Sequence, residues 1–251
     1  MLLRFSGGQH NLPSRNRNIW GIIPCAGVGT RFGGGVPKQY ELLNNSPIVL
    51  HALDRLSRVK GLLGIGVGVA RDDLRWAQLG GDLPGSPWHF TGGATRAQTV
   101  RLGLEELVQR GEGDAWVLVH DAARPCVRTQ DIERLIDEVA FDPSGGFLGT
   151  PLADTLKSVG QDSRVTQTVS REGFWRAQTP QFFPIRTLIQ GIDCCHEEGI
   201  ICTDDAQAIE SLGLHPRAVY CGDYNLKITQ RSDLGIAQMI LEEQEGTECI
   251  G

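Results

Sequence analysis

From Ile19 onward the chain alternates short apolar runs with segments in which apolar residues recur every three or four positions. "IWGII" and "LLGIGVGVA" have strand length, while "SPIVLHALDRLSR" and "RDDLRWAQL" have the periodicity of amphipathic helices. "TRAQTVRLGLEELVQR" puts Val100, Leu104, Leu107 and Val108 on one helical face and meets Gly111 as a stop signal. "WVLVH" then reads as a buried strand, and "TQDIERLIDEVA" as a helix with Thr129 as its cap. Such alternation predicts βαβ units: an α/β chain with a mostly parallel central sheet, covered by helices on both faces.

The pattern changes between about Pro151 and Gly173. Two β-like runs, "DTLKSV" and "VTQTVS", flank the polar turn "GQDSR" and predict an inserted hairpin. A lone hairpin is marginally stable, so it is expected to pack on its own domain or on another subunit. Helical patterns return at "IRTLIQGIDCCHEEG", "TDDAQAIESLG" and "RSDLGIAQMILEEQ", with "NLKIT" as a short strand before the last. In the second of these, Thr203, Asp204 and Asp205 read as an N-cap with acids in the first turn. Residues 1–18 are polar and aperiodic and read as a mobile tail; 19–251 are expected to form a single domain.

Composition narrows the partners. With 251 residues and 40% apolar content the chain can bury one substantial core, and a net charge of -6 argues against a general nucleic-acid binder. There is no signal-peptide h-region and no stretch near the roughly 18 apolar residues of a membrane span, so a cytoplasmic protein without a membrane partner is expected. Seven cysteines without a C-x-x-C pair suit free thiols; "CCHEEGIIC" matches no zinc-site spacing.

The candidate chemistry begins at "PCAGVGTRFGGGVPKQY", a glycine-rich turn directly behind a strand. Phe32 stands at the last position of a would-be G-x-G-x-x-G fingerprint, against a dinucleotide site, and Lys38 lies between Pro37 and Gln39, against a Walker loop. What is left is a loop whose backbone can approach polyphosphate, with Arg31 and Lys38 to neutralise its charge; the alternative is a flexible turn with two solvated cations. In "VLVHDAARP", Asp121 falls just past a buried strand, either as a ligand for Mg²⁺ or as a turn residue, and Arg124 is a phosphate clamp or its ion-pair partner. His120 reads as a satisfied core histidine. "TGGATRAQTV" turns through Gly92 and Gly93 into a helix, with the hydroxyls of Thr95 and Thr99 near its start. Thr155, Lys157 and Arg171 of the hairpin suit an anionic substrate or a solvated surface, and Lys227 in "NLKIT" is either a rigidly presented cation or an exposed strand lysine.

Taken in order, "PCAGVGTRFGGGVPKQY", "TGGATRAQTV", "WVLVHDAARPC", "ADTLKSV", "TVSREGFWRAQTPQFF", "TDDAQAIESLG" and "NLKIT" resemble the 2-C-methyl-D-erythritol 4-phosphate cytidylyltransferases, from about Ile19 to Gln244. The resemblance implies a three-layer, Rossmann-like nucleotidyltransferase fold and transfer of the cytidylyl group of CTP to methylerythritol phosphate, releasing pyrophosphate. It casts Arg31, Lys38 and Lys227 as catalytic cations. Cys25, Ala26, Gly27, Gly29, Gly92, Gly93 and Thr99 would hold CTP, and Asp121 would lie near Mg²⁺ and the substrate hydroxyls. Arg124, Thr155, Lys157, Arg171 and Lys227 would surround the methylerythritol phosphate. The hairpin resembles the family's β-arm, which implies a homodimer in which Thr155 and Arg171 act on the partner's site. Three positions depart from the family pattern: Cys25 replaces an alanine, Thr99 a serine, and Ala94 an aspartate, the last of which removes an acceptor for the cytosine amino group. A cytidylyltransferase for another polyol phosphate such as ribitol 5-phosphate, and a non-catalytic nucleotide-binding protein, are the alternatives.

Overall fold

Ile22 and Ile23 point to opposite faces of β1 (Ile19–Pro24) and both are fully buried, so the sheet must be covered on each side. The computed structural model describes residues 17–27, 32, 35–139 and 142–248, the side chains of 247 and 248 excepted. Around β1, the strands β4 (Leu62–Val69), β5 (Trp88–Thr91) and β6 (Trp116–Val119) run parallel, β4 and β6 flanking β1 and β5 lying outside β4. Outside β6 come β10 (Trp175–Pro184), β7 (Gly146–Pro151) and β11 (Arg217–Tyr220), giving the order β11-β7-β10-β6-β1-β4-β5. β10 is antiparallel to both neighbours, and the rest of the sheet is parallel. The two-residue strands β2 (Leu42–Leu43) and β3 (Ser46–Pro47) pair separately.

Helices fill the two faces. On one side α1 (Ile48–Ser57) and α4 (Thr129–Val139) bring Val49, Leu53, Leu56, Ile132 and Leu135 onto Ile23, Leu118 and Phe182. On the other, α3 (Arg96–Gln109) and α5 (Ile185–Glu197) bring Val100, Leu104, Leu107, Leu188 and Ile192 onto Ile22, Val117, Val119 and Phe183. The expected apolar face of α3 is therefore the buried one, with Val108 at its edge, and Gly111 does end the helix with a φ of +88°. Short α2 (Leu74–Gln78) and α6 (Asp205–Glu210) complete the layers, and α7 (Asp233–Glu248) closes a third cluster that contains Phe32, Ile48, Cys126 and Ile228. Among the described residues no helix is long and apolar enough to cross a membrane.

The inserted hairpin is present as β8 (Leu156–Val159) and β9 (Val165–Val169), an antiparallel pair that joins no other strand. Of the segment expected to form a mobile tail, 1–16 lie outside the described residues. Arg17 stacks 4.5 Å over the Trp116 ring, and Asn18 donates to Glu112 Oε2 at 2.8 Å.

Three expectations need correction. "NLKIT" is not a strand: Ile228 N donates to Ala123 O at 2.9 Å and its side chain is buried under α7, so the segment is held extended without a strand neighbour. Thr129 is the first residue of α4 rather than its cap: Ile132 N donates to Arg128 O, so the helix is entered at Arg128, and the Thr129 hydroxyl donates to Arg55 O at 3.2 Å. The cysteines are not all free thiols, since Cys195 and Cys202 form a disulfide between the end of α5 and the turn before α6, while Cys25, Cys126, Cys194 and Cys221 are free.

Candidate active site

The strand order β5-β4-β1-β6 reverses direction between β1 and β6, and open parallel sheets place ligands at such a reversal, beyond the carboxyl ends of the strands. Here Cys25–Gly27 leave β1 and His120–Asp121 leave β6 side by side. A cavity of about 290 Å³ lies between them, lined by Pro24–Gly27, Lys38, Gln39, Gly93–Arg96, Thr99, Asp121 and Lys227. A second, of about 230 Å³, is lined by Arg124, Gln178, Thr179, Gln181, Thr203 and Asp204 together with Arg96, Asp121 and Lys227. These last three residues line both cavities and so form their common wall.

One wall of the first cavity is made of small residues, Cys25, Ala26, Gly27, Gly93 and Ala94. Gln39 holds that wall: its side-chain amide donates to both Cys25 O and Gly27 O at 2.9 Å. Next to it Tyr40 donates to Asp73 Oδ2 at 2.6 Å, and Asp73 caps α2. Opposite, Thr95 caps α3 by accepting from Gln98 N, and Thr99 accepts from Gly93 N at 3.1 Å while donating to Thr95 O at 2.9 Å. The two threonine hydroxyls thus build the turn. A Cβ on Gly92 would come within 2.6 Å of the Ala26 side chain, whereas one on Gly27 would meet nothing within 4 Å. Ala94 offers no carboxylate, and its N–H donates to Gln98 Oε1 at 3.1 Å. Burial pushes the Cys25 thiol up to about 12, so it stays protonated and inert beside the cavity.

On the common wall Asp121 is met by cations from three directions. Lys227 Nζ lies 2.7 Å from its Oδ2, Arg96 Nε lies 3.0 Å from its Oδ1, and Arg124 Nε lies 3.9 Å from Oδ2. Burial alone would raise this carboxyl, but Arg96, Lys227 and Arg124 outweigh it and hold Asp121 well below the usual carboxylate range. Lys227 is aimed by the buried Ile228 beside it, and Lys38 Nζ donates to Ile228 O at 3.2 Å, so two expected cations share one support. Arg124 donates to Asn225 O at 2.7 Å.

His120 is the satisfied core residue its position suggested. Asp121 N donates to Thr179 Oγ1 at 3.0 Å, which leaves the threonine proton for His120 Nδ1 at 3.0 Å; Nε2 then carries hydrogen and donates to Arg124 O at 3.0 Å. Burial lowers the imidazole to about 4, so it is neutral at pH 7. Thr179 reaches this place because the β10 register shifts between Ala177 and Gln181, freeing the intervening residues from the ladder.

The remaining expected residues fall elsewhere. Arg31 and Gly29 lie outside the described residues. Thr155, Lys157 and Arg171 line neither cavity: Lys157 donates to Thr168 Oγ1 at 2.6 Å and Arg171 to Ala153 O, within the arm and its base. Sequence reasoning passed over Arg96, Gln39, Thr179 and Gln181. All four stood inside quoted runs, Arg96 in "TGGATRAQTV", Gln39 in "PKQY", and Thr179 and Gln181 in "TPQ", but the runs alone assigned them no role. Asp204, rather than Thr203, caps α6, with Thr203 N donating to Gln207 Oε1 at 2.8 Å in a reciprocal box.

A three-layer fold with a cavity bounded by small residues at the switch point of its sheet, and cations gathered beyond it, is that of an α/β nucleotidyltransferase. Comparison with known proteins narrows the class. The family model described as 2-C-methyl-D-erythritol 4-phosphate cytidylyltransferase matches residues 19–243. A protein of that name from Halorhodospira halophila is 45% identical over 229 residues, covering 90% of this chain and 94% of that one. Another of the same name, from Nitrosospira multiformis, is 43% identical over 231 residues, covering 90% and 98%. The solved structure of the Francisella tularensis protein of that name superposes with a TM-score of 0.76 at 32% identity, covering 89% of this chain and 99% of that one. The chain belongs to the 2-C-methyl-D-erythritol 4-phosphate cytidylyltransferase family.

Proposed function

We propose that this protein joins CTP and 2-C-methyl-D-erythritol 4-phosphate into 4-diphosphocytidyl-2-C-methyl-D-erythritol and pyrophosphate, with the two adjoining cavities holding the two substrates. The observation that carries the assignment of sites is the common wall of Arg96, Asp121 and Lys227 between a cavity bounded by small residues and a polar one. Cytosine and ribose lie against Cys25–Gly27 and Gly92–Thr99, where amides and small side chains permit close approach. The polyol phosphate lies in the second cavity with Arg124 and Lys227 as its cations and Asp121 as acceptor for its hydroxyls.

An oxygen of the acceptor phosphate attacks the α-phosphorus of CTP in line. The bond from that phosphorus to the bridging oxygen breaks, and pyrophosphate leaves with the electron pair. No side-chain nucleophile is needed. The protein's part is to position both phosphates and to balance charge on the pentacoordinate phosphorus, the work we assign to Lys38, Lys227 and Arg31.

For Mg²⁺ the donor set is informative. Among the described residues no three His, Cys, Asp or Glu side chains come together, and both oxygens of Asp121 already face cations. Each of those oxygens keeps a second lone pair, so Asp121 would be the residue to hold a metal that arrives with the triphosphate. When bound, such a metal would supply charge neutralisation to the departing pyrophosphate.

The arm is assigned to a homodimer. Val159, Val165, Phe174 and Trp175 are exposed on the arm and its base, and Thr155, Lys157 and Arg171 line neither cavity of their own chain. A second copy clasped by the arm would cover the apolar residues and bring Thr155 and Arg171 to the partner's acceptor cavity. We assign the enzyme to the cytoplasm, where CTP is available.

The test offers each of the four nucleoside triphosphates with Mg²⁺ and either methylerythritol phosphate or ribitol 5-phosphate, and follows pyrophosphate release. Turnover with CTP and methylerythritol phosphate is expected. Turnover with ribitol 5-phosphate alone would overturn the assigned acceptor.

A further inference from the structure

Arg96 stands within the "TGGATRAQTV" run, where no role was assigned to it, yet its guanidinium is paired with two acids at the site. It opens α3, and its guanidinium is shared between two acids. Nη1 and Nη2 donate to Asp205 Oδ1 and Oδ2 at 3.0 and 2.7 Å, a bidentate fork, while Nε donates to Asp121 Oδ1 at 3.0 Å. The Asp205 side chain is 2% exposed, so the fork is anchored in the interior.

The anchor is itself held. Asp205 is the first residue of α6, whose start is pinned to β10 by Gln181: its side-chain oxygen accepts from Ala206 N at 2.8 Å and its amide donates to Asp204 Oδ2 at 2.9 Å. An unbroken chain of contacts thus runs from β10 through α6 to Arg96 and ends on Asp121, whose other oxygen is taken by Lys227. With each oxygen bound by a different cation, the carboxylate of Asp121 is fixed in rotation as well as in place.

We propose that Arg96 and Asp205 are positioning residues, which act through Asp121 to hold its carboxylate in the one orientation that presents an acceptor to the substrate hydroxyls. The fork is what matters. A lysine at 96 keeps the charge but, as a point cation, cannot bind Asp205 bidentately and Asp121 at once. Asparagine at 205 keeps the shape of the anchor but removes the charge that fixes the fork. Either change leaves Asp121 charged, buried and free to turn toward Lys227.

The inference rests on the transfer reaction proposed above, and a double-mutant cycle separates the two. Wild type, Arg96→Lys, Asp121→Ala and the double variant are compared for kcat and KM with CTP and methylerythritol phosphate, with folding checked by circular dichroism. Arg96→Lys alone is expected to lower kcat/KM about tenfold or more, chiefly through KM for methylerythritol phosphate, while the affinity for CTP moves less than about threefold. In the Asp121→Ala background the same change is expected to cost less than about twofold, because the group it orients is gone. Losses that multiply would show Arg96 acting directly on a ligand or on the fold, and would overturn the inference alone. An inactive wild type would overturn the proposed reaction and this inference with it. Where Arg96→Lys fails to fold, Asp205→Asn takes its place in the same cycle, with the same expected and contrary outcomes.

Discussion

The ammonium of Lys227 stands 2.7 Å from Oδ2 of Asp121, on the wall shared by the two cavities. Lys227 leaves the core on an extended segment and Asp121 leaves it at the end of β6, so their meeting joins two separately anchored pieces of chain. Removing the cation while keeping the length of the side chain tests its role. Lys227→Met is expected to lower kcat by about 10² with little change in melting temperature, since Ile228 still anchors the segment. A rise in KM at unchanged kcat would make Lys227 a binding group only.

His120 links the site to pH. Its folded value is lowered to about 4, against about 6.5 for an unfolded histidine. Between these values the unfolded chain binds a proton that the folded chain refuses, so stability rises with pH across the window and is lost on acidification from about 6.5 toward 4. The contribution is on the order of 3 kcal/mol. Urea unfolding of the wild type between pH 7 and 4.5 is expected to show this slope. His120→Gln, which keeps a donor toward Arg124 O, is expected to be flatter; an equal slope in both would place the titration elsewhere.

Gln39 is expected to govern nucleotide affinity without touching the reaction. Its amide secures two carbonyls of the cavity wall, and each hydrogen bond is worth about 1 kcal/mol net. Gln39→Ala is therefore expected to weaken CTP binding by about tenfold in calorimetry while kcat at saturation falls less than about threefold. Unchanged affinity would mean that the wall holds its shape without this support.

The parts of the fold that the sequence made legible are those governed by local pattern. β1, β4 and β6 are apolar on both faces, α3 and α5 carry clear apolar stripes, and the arm announces itself by a polar turn between β-like runs. β10 escaped notice because Gln178, Thr179 and Pro180 interrupt its alternation where the register shifts. "NLKIT" misled for the opposite reason: its apolar residues match a strand, but Ile228 is buried by α7 and not by a sheet neighbour. The site was legible where loops are rich in glycine or charge. Arg96 was not, because its partners Asp121 and Asp205 lie far along the chain and only the packing of α3 on the sheet and on α5, which carries α6, brings them together. The Cys195–Cys202 disulfide was missed likewise, since spacing alone does not show that the turn after α5 folds back.

The central claim is that the phosphate of the acceptor attacks the α-phosphorus of CTP. Phosphorus NMR of a reaction run with methylerythritol phosphate labelled by ¹⁸O in its phosphate tests it most directly. The account predicts a cytidine diphosphate ester that retains all the label and an equal amount of unlabelled pyrophosphate. Label in the pyrophosphate, or no diphosphate ester at all, would contradict it.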